Sequence, residues 1–217
     1  ANGDGVFECD RGAMEVMGGG EVVAGHSSVF YNPERNGEGN YVEILENGQA
    51  IVYTFSYNPD GTGPAWFLGI GNINGNSIIL DDLLRPTGTP FGDEFDASEI
   101  DFTEAGSMSM VFPDCQASAP GGSVAFTGDA DLGYEALLTR STRLAHITGC
   151  GTETPVPNAG LSGSFFDAAR NGEGLIVEWL TNGDVLVVFF TYDTEGNQLW
   201  LFGLAPSDGK SVTLTAL

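Results

Sequence analysis

The sequence predicts an all-β protein built of antiparallel meander units, barrel or sandwich, with one complete and one partial copy of the same repeat. Three observations carry that expectation. Helical periodicity is nearly absent, and alternating runs of β-branched and aromatic residues are broken by 32 glycines and repeated Asn-Gly pairs. The stretch from Gly25 to Leu83 returns from Gly160 to Leu217 with one residue fewer, near Gly63, and the two agree at about 23 of roughly 59 positions. The first copy then continues to Cys150, whereas the second stops where that continuation would begin, so a half-unit needs a cover.

Each element follows from local chemistry. In the first copy Tyr41–Leu45 reads as a strand, and Glu46-Asn47-Gly48-Gln49 as its hairpin turn, because Asn-Gly accepts the positive φ of a type I′ turn. Ala50–Tyr57 returns, Asn58-Pro59-Asp60-Gly61 turns again, and Ala65–Ile70, Asn74-Gly75 and Ser77–Leu83 continue the meander. The second copy repeats this with Leu175–Leu180, Asn182-Gly183, Asp184–Tyr192, Glu195-Gly196, Gln198–Leu204, Asp208-Gly209 and Ser211–Leu217. Further strands are expected at Ser107–Phe112, Ser123–Phe126 and Tyr134–Thr139, with a helical turn near Ala97–Ile100. The organisation is therefore an N-terminal segment (1–24), a first β unit (25–150), a Pro-rich linker (151–159) and a second, truncated unit (160–217).

The N-terminal segment offers a cover for the half-unit. Val6-Phe7-Glu8-Cys9-Asp10-Arg11 loosely matches Val111-Phe112-Pro113-Asp114-Cys115-Gln116 of the first unit's second half. The chain thus opens with part of what its end lacks. The ends can complete each other within one molecule, or the head of one molecule can complete the tail of the next. Strand donation satisfies an open sheet edge, and a head-to-tail contact that does not close yields a filament. The expected partner is therefore self, as a head-to-tail homopolymer. The competing reading is that the sequence is a fragment, or that the second copy packs on the first as a self-sufficient small sheet.

Composition narrows the functional classes. Thirty acidic residues against seven basic give a net charge of −23, and Lys210 is the single lysine. Nucleic acid and anionic membranes or polysaccharides are excluded as partners on that balance, whereas solubility in salt, cations and neutral ligands fit it. No apolar run has the length of a membrane span, so membrane insertion is not expected. The start, ANGDG, reads as the mature end left by signal-peptide removal, and the setting as extracellular or cell-surface. Cys9, Cys115 and Cys150 lie in Gly-rich surroundings without CxxC spacing, which favours a disulfide over a zinc site. The expected pair is Cys115–Cys150, leaving Cys9 free or joined to another molecule.

The segments Ser28–Gly39 and Gly163–Gly174, with Phe-[Tyr/Phe]-[Asn/Asp]-x-x-Arg-Asn-Gly-Glu-Gly, resemble a motif of secreted bacterial β proteins that reads like GxWYDPxRxGEGF. There it precedes an apolar hairpin and a YDxxGxQxW turn, matched here by Tyr57–Trp66 and Tyr192–Trp200. Leu83–Gly88 and Leu138–Leu144 also look familiar from that group. The resemblance implies architecture and secretion but no activity. The usual first Trp is Phe30 and Phe165 here, which weakens any stacking role at that position.

Arg35, Glu38, Arg170 and Glu173 form the strictest match between the copies. Arg and Glu three residues apart can pin a turn, and the flanking glycines point to positive φ or close approach; ligand contact is the sharper alternative. Glu43 and Glu178 sit inside apolar strands, with a structural pairing to the motif arginines favoured over the solvent face. Tyr57, Trp66, Tyr192 and Trp200 recur as an aromatic set that is either core or, if exposed, a stacking surface for a neutral glycan. Asn58–Gly63 and Asp193–Asn197 resemble calcium loops without the full spacing, so hairpin turns are the first reading and Ca2+ the weaker one. Asp81-Asp82 and Asp93-Glu94 with Asp96 are further cation candidates. His26 and His146 do not recur between copies, and no nucleophile elbow, HExxH or phosphate loop is present. No catalytic residue, enzyme activity or cofactor is expected. The leading expectation is a structural subunit that assembles by completing its neighbour's sheet, with a carbohydrate-binding or adhesion module second.

Overall fold

A computed structural model describes residues 21–35, 37–114, 117–124, 132–135, 138–140, 159–180 and 182–214; within these, the backbone alone is described at 114, 117–124, 132–135, 138–140 and 159. Every sheet pairing is antiparallel. The larger sheet contains β1 (Ser28–Tyr31), β2 (Gly39–Ile44), β3 (Gln49–Tyr57), β4 (Pro64–Asn74), β5 (Ser77–Thr87), β6 (Asp101–Asp114), β7 (Ala117–Val124), β8 (Leu132–Glu135) and β9 (Leu138–Arg140). The smaller contains β10 (Gly163–Phe165), β11 (Gly174–Trp179), β12 (Asp184–Tyr192) and β13 (Gln198–Pro206).

The spatial order of the larger sheet is β6-β5-β4-β3-β2-β1-β9-β7-β8, with β6 also paired to β7. Its two ends meet through β9, which makes two register pairs with β1 and two with β7. The sheet therefore curls back on itself without a full-length closing strand, which is not a closed barrel. Strand alternation gives the curl two faces. Inside lie Phe30, Val42, Val52, Phe67, Ile78, Leu80, Met108, Met110 and Phe112, all buried in one cluster. Outside lie Tyr41, Tyr53, Phe55 and Trp66, which form a second cluster with Ile176, Val188, Phe190 and Tyr192 of the smaller sheet. The molecule is thus a curled sheet with a second sheet packed on its outer face.

The expected hairpins stand where Asn-Gly placed them, with Gly48, Gly75 and Gly183 all at positive φ. Two strands escaped the sequence reading, β1 and β10. They are four and three residues long, too short for periodicity to register. Ser211–Leu217, expected as a strand, is not one. Its described part makes a single bridge, Ser207 to Val212, and Leu214 folds back over Gly203. The helical turn near Ala97–Ile100 is a 3-10 turn over Ala97–Glu99, capped by Asp96 accepting from Ser98 N. Val22 is buried in the first unit's core and its N–H donates to Gly75 O at 2.8 Å, so the first unit begins earlier than Gly25. Residues 1–20, Cys9, Cys115, Cys150 and His146, and 151–158 of the linker lie outside the described residues.

Candidate functional site

The two copies meet through the same atoms in reverse. Glu178 accepts from Ser28 Oγ at 2.7 Å and from Val29 N at 3.0 Å. Glu43, its counterpart, accepts from Ser164 N at 2.9 Å and Ser164 Oγ at 2.6 Å, and Ser164 is the counterpart of Val29. Trp66 Nε1 donates to Thr191 O at 3.4 Å, and Trp200 Nε1 donates to Ser56 O, the counterpart of Thr191, at 3.1 Å. The result is an internal pseudo-dimer, in which each unit caps the other's first strand with a carboxylate. Sequence reasoning singled out Glu43 and Glu178 but paired them with the motif arginines. The arginines are engaged elsewhere, and the acceptor role falls to strand β1 and strand β10.

The motif Arg-Asn-Gly-Glu-Gly builds the turn that delivers β2 and β11. Gly37 and Gly172 have φ of 88° and 102°, where a Cβ is strained. Arg35 Nη2 lies 2.9 Å from Glu38 Oε1, which also accepts from Ser56 Oγ at 2.8 Å. Arg170 pairs with Glu173, whose other oxygen accepts from Thr191 Oγ1 at 2.7 Å. A Cβ on Gly39 would meet Phe30 O, and one on Gly174 would meet Phe165 O, so the last glycine lets the preceding strand cross closely. The described arginines, glycines and glutamates of the motif thus each have a structural task.

The aromatic set divides. Trp66 and Tyr192 are buried between the sheets, with Trp66 5.1 Å from Phe190 and 6.2 Å from Tyr192. At these two, packing replaces the stacking surface that an exposed site requires. Tyr192 is covered by the loop after β5, where a Cβ on Gly88 would enter its ring and Phe91 N donates to Asp193 O. Burial, and secondarily the Glu173 charge, pushes the Tyr192 phenol well above its usual range, and its hydroxyl has no hydrogen-bond partner among the described residues. Tyr57 is 45% exposed and stands 5.7 Å from half-buried Trp200. Gln198, which sequence reasoning used only as a motif letter, locks the sheets together. Its amide donates to Trp66 O at 2.8 Å while its oxygen accepts from Arg85 Nε at 2.9 Å.

Beside Trp200 a cleft of about 370 Å³ opens between the sheets, lined by Tyr31, Phe55, Val188, Phe202 and Leu204 among others. The two loops that resemble calcium sites are turns, and Asp81 and Asp82 lie in strand β5. Asp60 accepts from Thr62 N and Oγ1 at 3.0 and 2.6 Å, and Asp193 accepts from Glu195 N and Asn197 N at 2.8 and 2.9 Å. Among the described residues no three His, Cys, Asp or Glu side chains are grouped to hold a metal ion. No helix among them is long and apolar enough to cross a membrane. Neither protein-family profiles, nor curated proteins, nor solved structures yield a match to this chain.

The decisive surface is the outward face of the smaller sheet. Phe165, Leu175, Phe189 and Leu201 are register partners in one row across all four strands. Phe165 is 50% exposed, Leu175 39% and Leu201 54%. The matching row in the first copy is Phe30, Asn40, Thr54 and Phe67, and none of the four is more than 3% exposed. There, Asn40 Nδ2 donates to Thr54 Oγ1 at 2.6 Å. The buried row is half polar and the exposed row wholly apolar. Among the described residues, the margins of this face are covered by Phe91, 6.1 Å from Phe189, and by Leu214, which lies over Gly203. Alternation in β11 and β12 does not mark this face in advance, because both faces of these strands are apolar.

Proposed function

We propose that this chain is a secreted, non-enzymatic structural subunit that assembles with copies of itself, the open face of its second unit being covered by β structure from a neighbour. The observation behind this reading is the exposed apolar row Phe165–Leu175–Phe189–Leu201 in register positions that the first unit keeps buried. A contiguous apolar patch on a highly charged protein is an interaction surface or an aggregation hazard. Strand β13, which pairs only with β12 among the described strands, adds an unpaired edge beside it. A Cys115–Cys150 disulfide belongs to the same extracellular reading, and thiol counting under denaturing conditions tests it. For assembly, light scattering and negative-stain imaging of the native chain are expected to show oligomers or filaments, and Leu201→Ser to dissolve them. A wild-type particle of 22.8 kDa sinks the proposal.

A neutral glycan is the second reading, supported by the cleft beside Trp200, Phe202 and Tyr31 with exposed Tyr57 nearby. Flat apolar rings accept a pyranose face without charge. A neutral-glycan panel should then shift tryptophan fluorescence in the native chain but not in Trp200→Ala, whereas a silent panel eliminates it.

A further inference from the structure

We infer that the occupant of the open row is the Val6–Arg11 stretch of a second copy of this chain, with Phe7 seated on Phe165. The inference rests on the assembly reading above and names its partner segment. The first unit displays the arrangement to be copied. There Phe30 is covered by Phe112 of β6, ring centroids 5.7 Å apart and planes at 68°, and both are fully buried. Phe165 is the repeat counterpart of Phe30 and lies half exposed. Val6-Phe7 stands in the N-terminal segment as Val111-Phe112 stands in β6, each followed within three residues by an acidic residue and a cysteine. Match and vacancy therefore correspond: the chain holds a second β6-like stretch and a second β6-seeking face.

The correspondence stops before residue 22. Val22 and the 3-10 turn Ala24–His26 pack on the first unit, with His26 5.1 Å from Phe112. The donated segment is therefore shorter than residues 1–24. The row itself offers no charge, so recognition rests on apolar seating of side chains on the face.

The experiment uses the full chain with p-benzoylphenylalanine in place of Phe7, mixed with an isotopically heavy chain that keeps Phe7, then irradiated and digested. Light-to-heavy cross-links into the 163–175 or 198–206 peptides support the inference. Light-to-light links within one molecule overturn it, and with a monomeric scattering mass they overturn the assembly reading as well. Links to other regions in particles that still scatter as oligomers overturn this inference alone. As a check independent of the probe, Phe7→Ser is expected to cost at least tenfold in assembly affinity and Phe7→Leu to restore most of it, with circular dichroism unchanged. Equal assembly by both variants counts against the inference.

Discussion

The two units of this protein share a turn motif, a hairpin, an Asn-Gly corner and a tryptophan, yet they put the matching faces of their strands to different uses. In the first, the face bearing Phe30, Val42, Val52 and Phe67 lines a core closed by β5 and β6. In the second, the face bearing Phe165, Leu175, Phe189 and Leu201 looks outward. The other faces pack on each other through reciprocal Trp and Glu contacts. One repeated pattern thus supplies an internal dimer interface twice and a finished core once. A face becomes interior or surface according to what is laid over it, since the strand presents apolar side chains on both sides.

The sharpest way to break the comparison is to truncate matched phenylalanines. Phe30→Ala should destabilise the chain by about 3–5 kcal/mol in urea unfolding, whereas Phe165→Ala should cost under about 1 kcal/mol in the monomer. Equal losses would mean that the outer row is already covered. Next come the reciprocal carboxylates. Glu178→Ala strips a buried acceptor from Ser28 Oγ and Val29 N and should cost about 1–3 kcal/mol. Glu43→Ala, at a half-buried position, should cost less, and a reversed order would show the pseudo-symmetry misread.

A third test uses alkaline pH. Burial, reinforced by Glu43 and Glu178, holds the Tyr41 phenol well above its usual range, and burial does the same for Tyr53 and Tyr192. A folded-state value raised above the unfolded value near 10 contributes stability that is complete below pH ~10 and lost as pH climbs through the raised values. Absorbance at 295 nm should therefore show these three phenols ionising only with alkaline unfolding, and a fully reversible titration near pH 10 with intact circular dichroism would contradict the packing. A small effect is expected at Tyr192, whose hydroxyl is buried without a partner among the described residues. Tyr192→Phe should leave stability unchanged or raise it by about 1 kcal/mol. Tyr57→Phe, at the exposed counterpart, should do nothing measurable, and a clear loss at Tyr192 would reveal a partner for its hydroxyl.

Much of the architecture was readable residue by residue. Alternation in Asp184–Tyr192 placed that strand to the residue, and the Asn-Gly turns fixed the hairpins because few other pairs tolerate positive φ. The Arg-Gly-Glu-Gly spacing announced a pinned turn, and the structure supplies its partners. Other features were not readable. Trp66 and Trp200 hold the same position in the repeat, yet one is buried and the other lines a cleft, and the loop after β5 overlies the Tyr192 side, next to Trp66. Ser211–Leu217 has strand-like alternation, yet its described part makes one isolated bridge, Ser207 to Val212, and no ladder.

What the sequence determined by itself is therefore local and periodic: the β class, the turns, the repeat, and the chemistry of each motif residue. These follow from steric limits on φ and from a two-residue side-chain period, both of which act within a few residues. Which carboxylate meets which strand, which tryptophan is buried and which apolar face stays open were decided only by tertiary structure. Those outcomes depend on contacts between residues far apart along the chain, up to the 150 residues that separate Ser28 from Glu178, and no local rule chooses among faces that are equally apolar.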